Sequence, residues 1–367
     1  MRARGAGLEN EASLLAESNG RPTAGMLSTR EICVTRKQED CVAKDNIGIS
    51  WTNEAMNSLV GCQECSQGCN HCYAKMRVYR FLKNGVTNRD NRYSDLVEMI
   101  QKTALRDGVE EEKQELRFTG RILFNPAKMY QFLRNNAPGN LVFVDEFSDL
   151  LHTAVPMDVI LEHFRVFREV FWLQFQVLTK RAHRLNGLNA AVIKEFGEWP
   201  QNVWMGVSVC TQAKGELYKI AALGKTQARI KWVSFEPWLS DPEMALEEAC
   251  PNLAGLLGES GIAWSVIGGE SGSKKESRLM SLEDAQYLFS SSERAGCKLH
   301  FKQLGTKLAI NLGVYGIGDH RAKGGNLEQI PPNLRERDWP ENMTWDVPKN
   351  GLPFKPRFDA KKLIKFG

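Results

Sequence analysis

From Ile47 onward the sequence alternates short apolar runs, dense in Val, Ile, Phe and Trp, with longer amphipathic ones. The short runs lack the polar residue at every second position that a half-exposed strand carries. They read as strands buried on both faces, which calls for a parallel sheet covered by helices. The strands fall at Arg121–Phe124, Leu141–Asp145, Phe175–Leu178, Val203–Val209, Ile230–Phe235, Trp264–Ile267 and Lys298–Lys302. Helices are expected at Met157–Phe171, Ala182–Phe196, Gln212–Ala222 and Leu282–Ala295. A further strand just before Cys62 brings the number to about eight, which closes a barrel. The expected fold class is α/β, a (β/α) barrel, full or partial.

A chain of 367 residues is long for one core, but such barrels exceed the usual domain size. A barrel over residues 45–305 with two extensions accounts for the length. Residues 1–44, rich in Gly, Ser, Glu, Arg and Ala and without period, read as a flexible N-terminal extension. Residues 306–367 dissolve into Gly, Pro, Asn and charge and end in Lys355-Pro356-Arg357 and Lys361-Lys362-Leu363-Ile364-Lys365. They read as a loop-rich tail packing on the barrel, its basic end either solvated or touching phosphates. The formal charge of +4 permits a polyanionic partner without requiring one. No run approaches the roughly 18 apolar residues of a membrane span, and the first residues lack the apolar core of a secretory signal. The expectation is a cytoplasmic protein with no membrane partner.

Polar residues gather where the strands end. Asp145, Glu146, Ser148 and Asp149 follow one strand, and Thr179, Lys180 and Arg181 another. Ser208, Glu236, the run Gly268-Gly269-Glu270-Ser271-Gly272 and Lys302-Gln303 follow others. Any one of these is equally well a helix cap or a loop residue. Five or six strands ending this way point to the C-terminal rim, where barrels carry their chemistry.

The segment Gly61-Cys62-Gln63-Glu64-Cys65-Ser66-Gln67-Gly68-Cys69-Asn70-His71-Cys72-Tyr73-Ala74-Lys75 places four thiols on one short loop. Thiolates select zinc, Cu(I) or iron–sulfur clusters. Structural zinc usually takes two well-separated Cys-x-x-Cys turns, whereas here the pairs stand only three residues apart. Cys65-x3-Cys69-x2-Cys72 instead gives three thiolates able to cap three corners of a four-iron, four-sulfur cluster (4Fe-4S), leaving the fourth iron open. An open iron can take S-adenosylmethionine through its amino and carboxylate groups. Zinc and an ordinary thiol-rich loop are the competing readings. The scattered Cys33, Cys41, Cys210, Cys250 and Cys297 read as buried filler.

More of the chain is distinctive. Trp51-Thr52, Asn57, Gly61-Cys62 and Gly68-Cys69-Asn70-His71-Cys72-Tyr73-Ala74 are followed by Ser148-Asp149-Leu150-Leu151-His152 and Gln176-Val177-Leu178-Thr179-Lys180-Arg181. Val203-Trp204-Met205-Gly206-Val207-Ser208-Val209, Val233-Ser234-Phe235-Glu236-Pro237, Ile267-Gly268-Gly269-Glu270-Ser271-Gly272 and Phe301-Lys302-Gln303 complete the series. In this order, over residues 47–340, the sequence resembles the phage-associated gp thirty-seven/gp sixty-eight family, a three-cysteine-motif family of unestablished function. The resemblance implies a barrel of the radical S-adenosylmethionine type, related to proteins similar to spore photoproduct lyase. It sets the three cysteines at Cys62, Cys69 and Cys72 and puts Cys65 where an aliphatic residue is usual, so family position favours Cys62 as first ligand while spacing favours Cys65. It also places Asp149, Glu236 and Glu270 around cofactor or substrate, with the Gly268-Gly269 backbone free to approach a ligand. Thr179, Lys180 and Arg181 would bind a carboxylate or a phosphate. His71 would stack on adenine or face solvent, and His152 reads as a capping or core histidine.

The leading expectation is a radical S-adenosylmethionine enzyme that forms a 5′-deoxyadenosyl radical and draws on an electron donor such as a flavodoxin or ferredoxin. Its substrate class is nucleic acid or a nucleotide, an assignment resting on the resemblance and on Lys75, Arg77, Arg80 and Lys83 after the cysteines. Two alternatives stand beside it. One is a non-catalytic protein holding zinc or a structural cluster and binding nucleic acid; the other is a radical enzyme that modifies a peptide.

Overall fold

The computed structural model describes residues 48–83, 93–106, 109–135, 137–316, 324–341 and 354–367; the expected N-terminal extension lies outside them. The chain enters at β1 (Glu54–Met56), turns into β2 (Leu59–Val60), and runs through the cysteine loop into α1 (Tyr73–Lys83). Next come β3 (Val97–Arg106), β4 (Val109–Phe118), β5 (Ile122–Phe124) and α2 (Pro126–Tyr130). From β6 (Leu141–Val144) the alternation is regular: α3 (Met157–Glu169), β7 (Gln174–Thr179), α4 (Leu185–Phe196), β8 (Val203–Ser208), α5 (Lys214–Gly224) and β9 (Ile230–Trp238). It continues through α6 (Leu246–Ala249), α7 (Leu253–Glu259), β10 (Ile262–Gly269), α8 (Leu282–Arg294), β11 (Lys298–Gln303) and α9 (Thr306–Asn311), and β12 (Ile364–Phe366) closes the chain.

Seven strands, in the order β1-β6-β7-β8-β9-β10-β11, form one sheet paired in parallel throughout and curled into a half-barrel. The expected barrel is thus partial, with β1 and β11 at its open edges. Successive strand residues part to opposite faces, as a pleated backbone requires. Val203, Met205 and Val207 join the cluster that holds the helices, whereas Trp204 joins Trp51, Phe143, Trp232 and Trp264 on the other face. The tryptophan layer needs room: a Cβ on Gly206 would stand 2.4 Å from the Trp232 ring. Helix ends follow local chemistry. Ser281 caps α8 by accepting from the Asp284 amide at 3.0 Å, and α4 stops at Gly197, whose φ of 80° suits glycine.

Two expected strands belong elsewhere. Arg121–Phe124 and the strand before Cys62 appear as β5 and β2, but in a separate antiparallel sheet of order β12-β5-β2. The main sheet begins instead at β1, three residues too short to show a period. The ribbon of β3 and β4 was also unforeseen, because its ten-residue strands are mostly polar and pair only with each other. The tail is not merely solvated: Arg357 pairs with Glu162 and Glu195, Lys365 with Asp95, and β12 extends a sheet. Among the described residues no helix is long and apolar enough to cross a membrane.

Candidate site at the cysteine rim

The cysteine loop is fixed at its start by the strand that precedes it. Asp145, held at φ 59°, accepts from the Ser58 and Leu59 amides at 3.0 and 2.8 Å and from the Ser58 hydroxyl at 3.0 Å. Gly61 donates to Phe147 O at 3.1 Å and accepts from the Ser148 hydroxyl at 2.6 Å, and the Gly120 amide donates to Cys62 O at 3.0 Å. Only glycine fits at position 61, where φ is 103° and a Cβ would lie 2.2 Å from Arg121 O. The loop's far end is fastened by the buried Lys75, whose Nζ donates to Glu64 Oε1 at 2.5 Å and to Asn70 O at 2.9 Å.

Cys62, Cys65, Cys69 and Cys72 all line one cavity of about 200 Å³ at the C-terminal ends of the sheet strands, together with Asp149, Lys180, Arg181, Glu236, Gly269 and Glu270. The two cations are aimed at sulfur. Arg181 brings its terminal nitrogens to 3.8 and 3.9 Å from Cys62 Sγ while donating to Asp149 Oδ2 at 2.8 Å and Gln63 O at 2.7 Å. Lys180 has Ser208 Oγ at 3.5 Å; burial works against its charge, but the thiols of Cys210, Cys69, Cys72 and Cys65 raise its pKa on balance. The Cys65 thiol hydrogen-bonds Cys69, which brings Cys69 down to about 4 with help from Lys180 and pushes Cys65 well above the ordinary thiol range. Burial pushes Cys62 up to about 12 against the pull of Arg181, and burial also raises Cys72.

The carboxylates expected near a cofactor differ in how much of their bonding capacity is left. Asp149 is spent on Thr179 Oγ1 and on the Leu151, Lys180 and Arg181 donors. Glu270 accepts from Arg278 N at 2.8 Å, Arg278 Nε at 3.1 Å and Arg278 Nη2 at 2.5 Å, and has His71 Nδ1 at 3.0 Å. Among the described residues Glu236 has one ion pair, with Lys302 at 2.6 Å. At Gly269 the close approach is to the chain's own backbone, a Cβ there falling 2.2 Å from Leu304 O; Gly268 has room at 3.5 Å from Glu236 and Gln303. His71 is tied to Glu270 at the loop's edge. His152 is buried in a turn, accepting from Ala154 N at 3.2 Å, and burial lowers it to about 4.

One contact of the cysteine loop was not legible in sequence. Cys210, read as buried filler, is indeed buried, but its Sγ stands only 2.4 Å from where a Cβ on Gly68 would be. Nothing in the spacing signals it, because the contact joins the cysteine loop to the end of β8. Glu146 also reaches the cavity, raised by burial and bonded to Tyr73 and Asn57.

Soft donors lined by fixed cations suit an iron–sulfur group, since thiolate-bound iron clusters carry negative charge. Among the described residues no three His, Cys, Asp or Glu side chains are gathered for one metal ion. A family model described as a protein of unknown function (DUF5131) matches residues 46–346. No curated protein and no solved structure matches the chain.

Proposed function

The chain belongs to the DUF5131 family, and we propose that it is a radical S-adenosylmethionine enzyme whose 4Fe-4S cluster is held by Cys62, Cys69 and Cys72. The carrying observation is that four thiols, the buried Arg181 and the half-buried Lys180 face one cavity at the C-terminal rim of a parallel half-barrel. That rim is where α/β sheets bind ligands. When bound, the cluster with S-adenosylmethionine supplies one-electron reduction of the sulfonium, with 5′-deoxyadenosine as the measurable product.

The chain's own residues divide the remaining work. Cys62 is set by β2 and carries the Arg181 contact, so it is the better-placed first ligand; Cys65, exposed, donates its S–H to Cys69. Lys180 neutralises thiolate charge from within the cavity, and Asp149 holds Arg181 in place. Glu236 is the carboxylate left to accept from a ligand hydroxyl, because Asp149 and Glu270 are already saturated.

The test is anaerobic purification with iron, sulfide and zinc analysis, then dithionite reduction with S-adenosylmethionine and chromatography for 5′-deoxyadenosine. About four irons per chain with 5′-deoxyadenosine formed is the expected result. Cys62→Ser should lose the iron and Cys65→Ser should keep most of it. Stoichiometric zinc without cleavage would replace this reading with that of a metal-holding binding protein.

A further inference from the structure

A second cavity, of about 640 Å³, opens beside the first between α1, the β3–β4 ribbon and the loop at 271–277. The two are continuous: His71, Cys72, Tyr73 and Ser271 line both. Its walls carry Lys75, Arg77, Arg80, Lys102 and Lys113 against Glu115 and Glu276, five positive charges minus two negative, or +3. Lys75 is committed to the cysteine loop, Lys102 pairs with Glu115, and Lys113 pairs with Glu276. Arg77 and Arg80 are exposed, and among the described residues neither has an ion pair. Lys102 and Lys113 stand directly opposite each other in the ribbon, a like-charge pair whose glutamate partners lie at the surface, where such ion pairs are weak and exchangeable. At the junction of the cavities Tyr73 leaves 50% of its surface exposed while its hydroxyl bonds Glu146.

We infer that this groove is the track of a single-stranded nucleic acid, with phosphates along Arg77, Arg80, Lys102 and Lys113 and a base stacked on Tyr73 at the mouth of the cysteine cavity. Charge selects a polyanion. The exposed ring selects an unstacked base, since stacking on a side chain needs a free base face. A concave groove favours a strand over the convex face of an acidic protein. As a substrate assignment this rests on the proposed function; as a binding site it stands without it.

The experiment is fluorescence anisotropy of the full-length protein with a labelled oligothymidylate of about 15 nucleotides and its oligouridylate counterpart, at several salt concentrations. Binding should weaken linearly in log salt with a slope of about −2 to −3, as neutralising roughly four phosphates of a single strand implies. Arg77→Gln and Arg80→Gln should each weaken binding roughly fivefold and cut the slope by about 0.7, while Arg80→Lys should bind like the parent. Tyr73→Ala should lose roughly tenfold with the slope unchanged. No salt-dependent binding to either oligonucleotide, or parental binding by the Arg77→Gln, Arg80→Gln double variant, would overturn the inference. So would a double variant that keeps oligonucleotide binding but loses reduction by an acidic flavodoxin, which would make the groove an electron-donor dock. Intact, arginine-dependent binding in a protein that holds no iron would uphold the groove and sink the radical chemistry.

Discussion

Burial pushes the Asp145 carboxyl up to about 7 against the hydrogen bonds from Leu59 and Ser58, and lowers His163 to about 4 against its bond to Val159. His163 Nδ1 donates to Val159 O at 2.8 Å, so Nε2 of the neutral ring is an acceptor, and the Ser58 hydroxyl stands between it, at 2.7 Å, and Asp145 Oδ1, at 3.0 Å. Asp145 Oδ1 also accepts from the Ser58 and Leu59 amides, but its Oδ2 is buried without a hydrogen-bond partner among the described residues, so burial favours the neutral carboxyl. The folded carboxyl therefore keeps a proton that the unfolded one releases at about 4. Its contribution to stability is fully present below that value and is lost as pH rises to about 7. The neutral histidines act with the opposite sign, losing stability as pH falls from about 6.5 to 4. Comparison with Asp145→Asn cancels them. The unfolding free energy of the parent minus that of the variant should fall by up to about 4 kcal/mol between these limits, read from urea midpoints. Parallel curves would show that Asp145 is ionised in the fold.

Between elements, the rim depends on tethers from one strand end to the next. Asp149, after β6, binds Thr179 at the end of β7 and Arg181 just beyond it, and both members of the ion pair are buried. Removing one partner of such a pair strands a charge away from water. Asp149→Ala should therefore cost about 3–5 kcal/mol in urea unfolding. A loss under about 1 kcal/mol would mean that water reaches Arg181 freely. The strands β6 to β11 were readable because their runs are largely apolar, and α3, α4, α5 and α8 because of their amphipathic period; the short α6 and α7, four and seven residues, were not expected. The β3–β4 ribbon was not, since Glu98, Gln101, Lys102, Lys113 and Arg117 give it the composition of a loop. Its strands are ordered by pairing with each other and by packing of Val97 and Phe118 around Ala74 and Val78 of α1.

At the scale of the whole molecule, the chain's last residues support the cysteine loop from a distance. β12 pairs with β5, β5 pairs with β2, and β2 leads into Cys62. Phe354, Phe358, Ile364 and Phe366 pack on the main core, and Arg357 reaches the buried Glu162. Deleting residues 354–367 should lower stability on the order of 5 kcal/mol and reduce iron retention together, measured by urea midpoint and metal analysis. Retained iron at a lowered midpoint would separate the tail from the site. The sequence by itself determined the parallel α/β sheet, the concentration of thiols on one loop and the polar character of the strand ends. These follow from local period and residue chemistry, which each segment carries alone. Tertiary structure decided that the barrel stays open, that Asp149 and Glu270 are saturated by neighbours while Glu236 carries the Lys302 pair alone among the described residues, and that Cys210 packs against Gly68 of the cysteine loop. Each of these depends on which distant segments meet, and the distance between segments in space has no counterpart in their spacing along the chain.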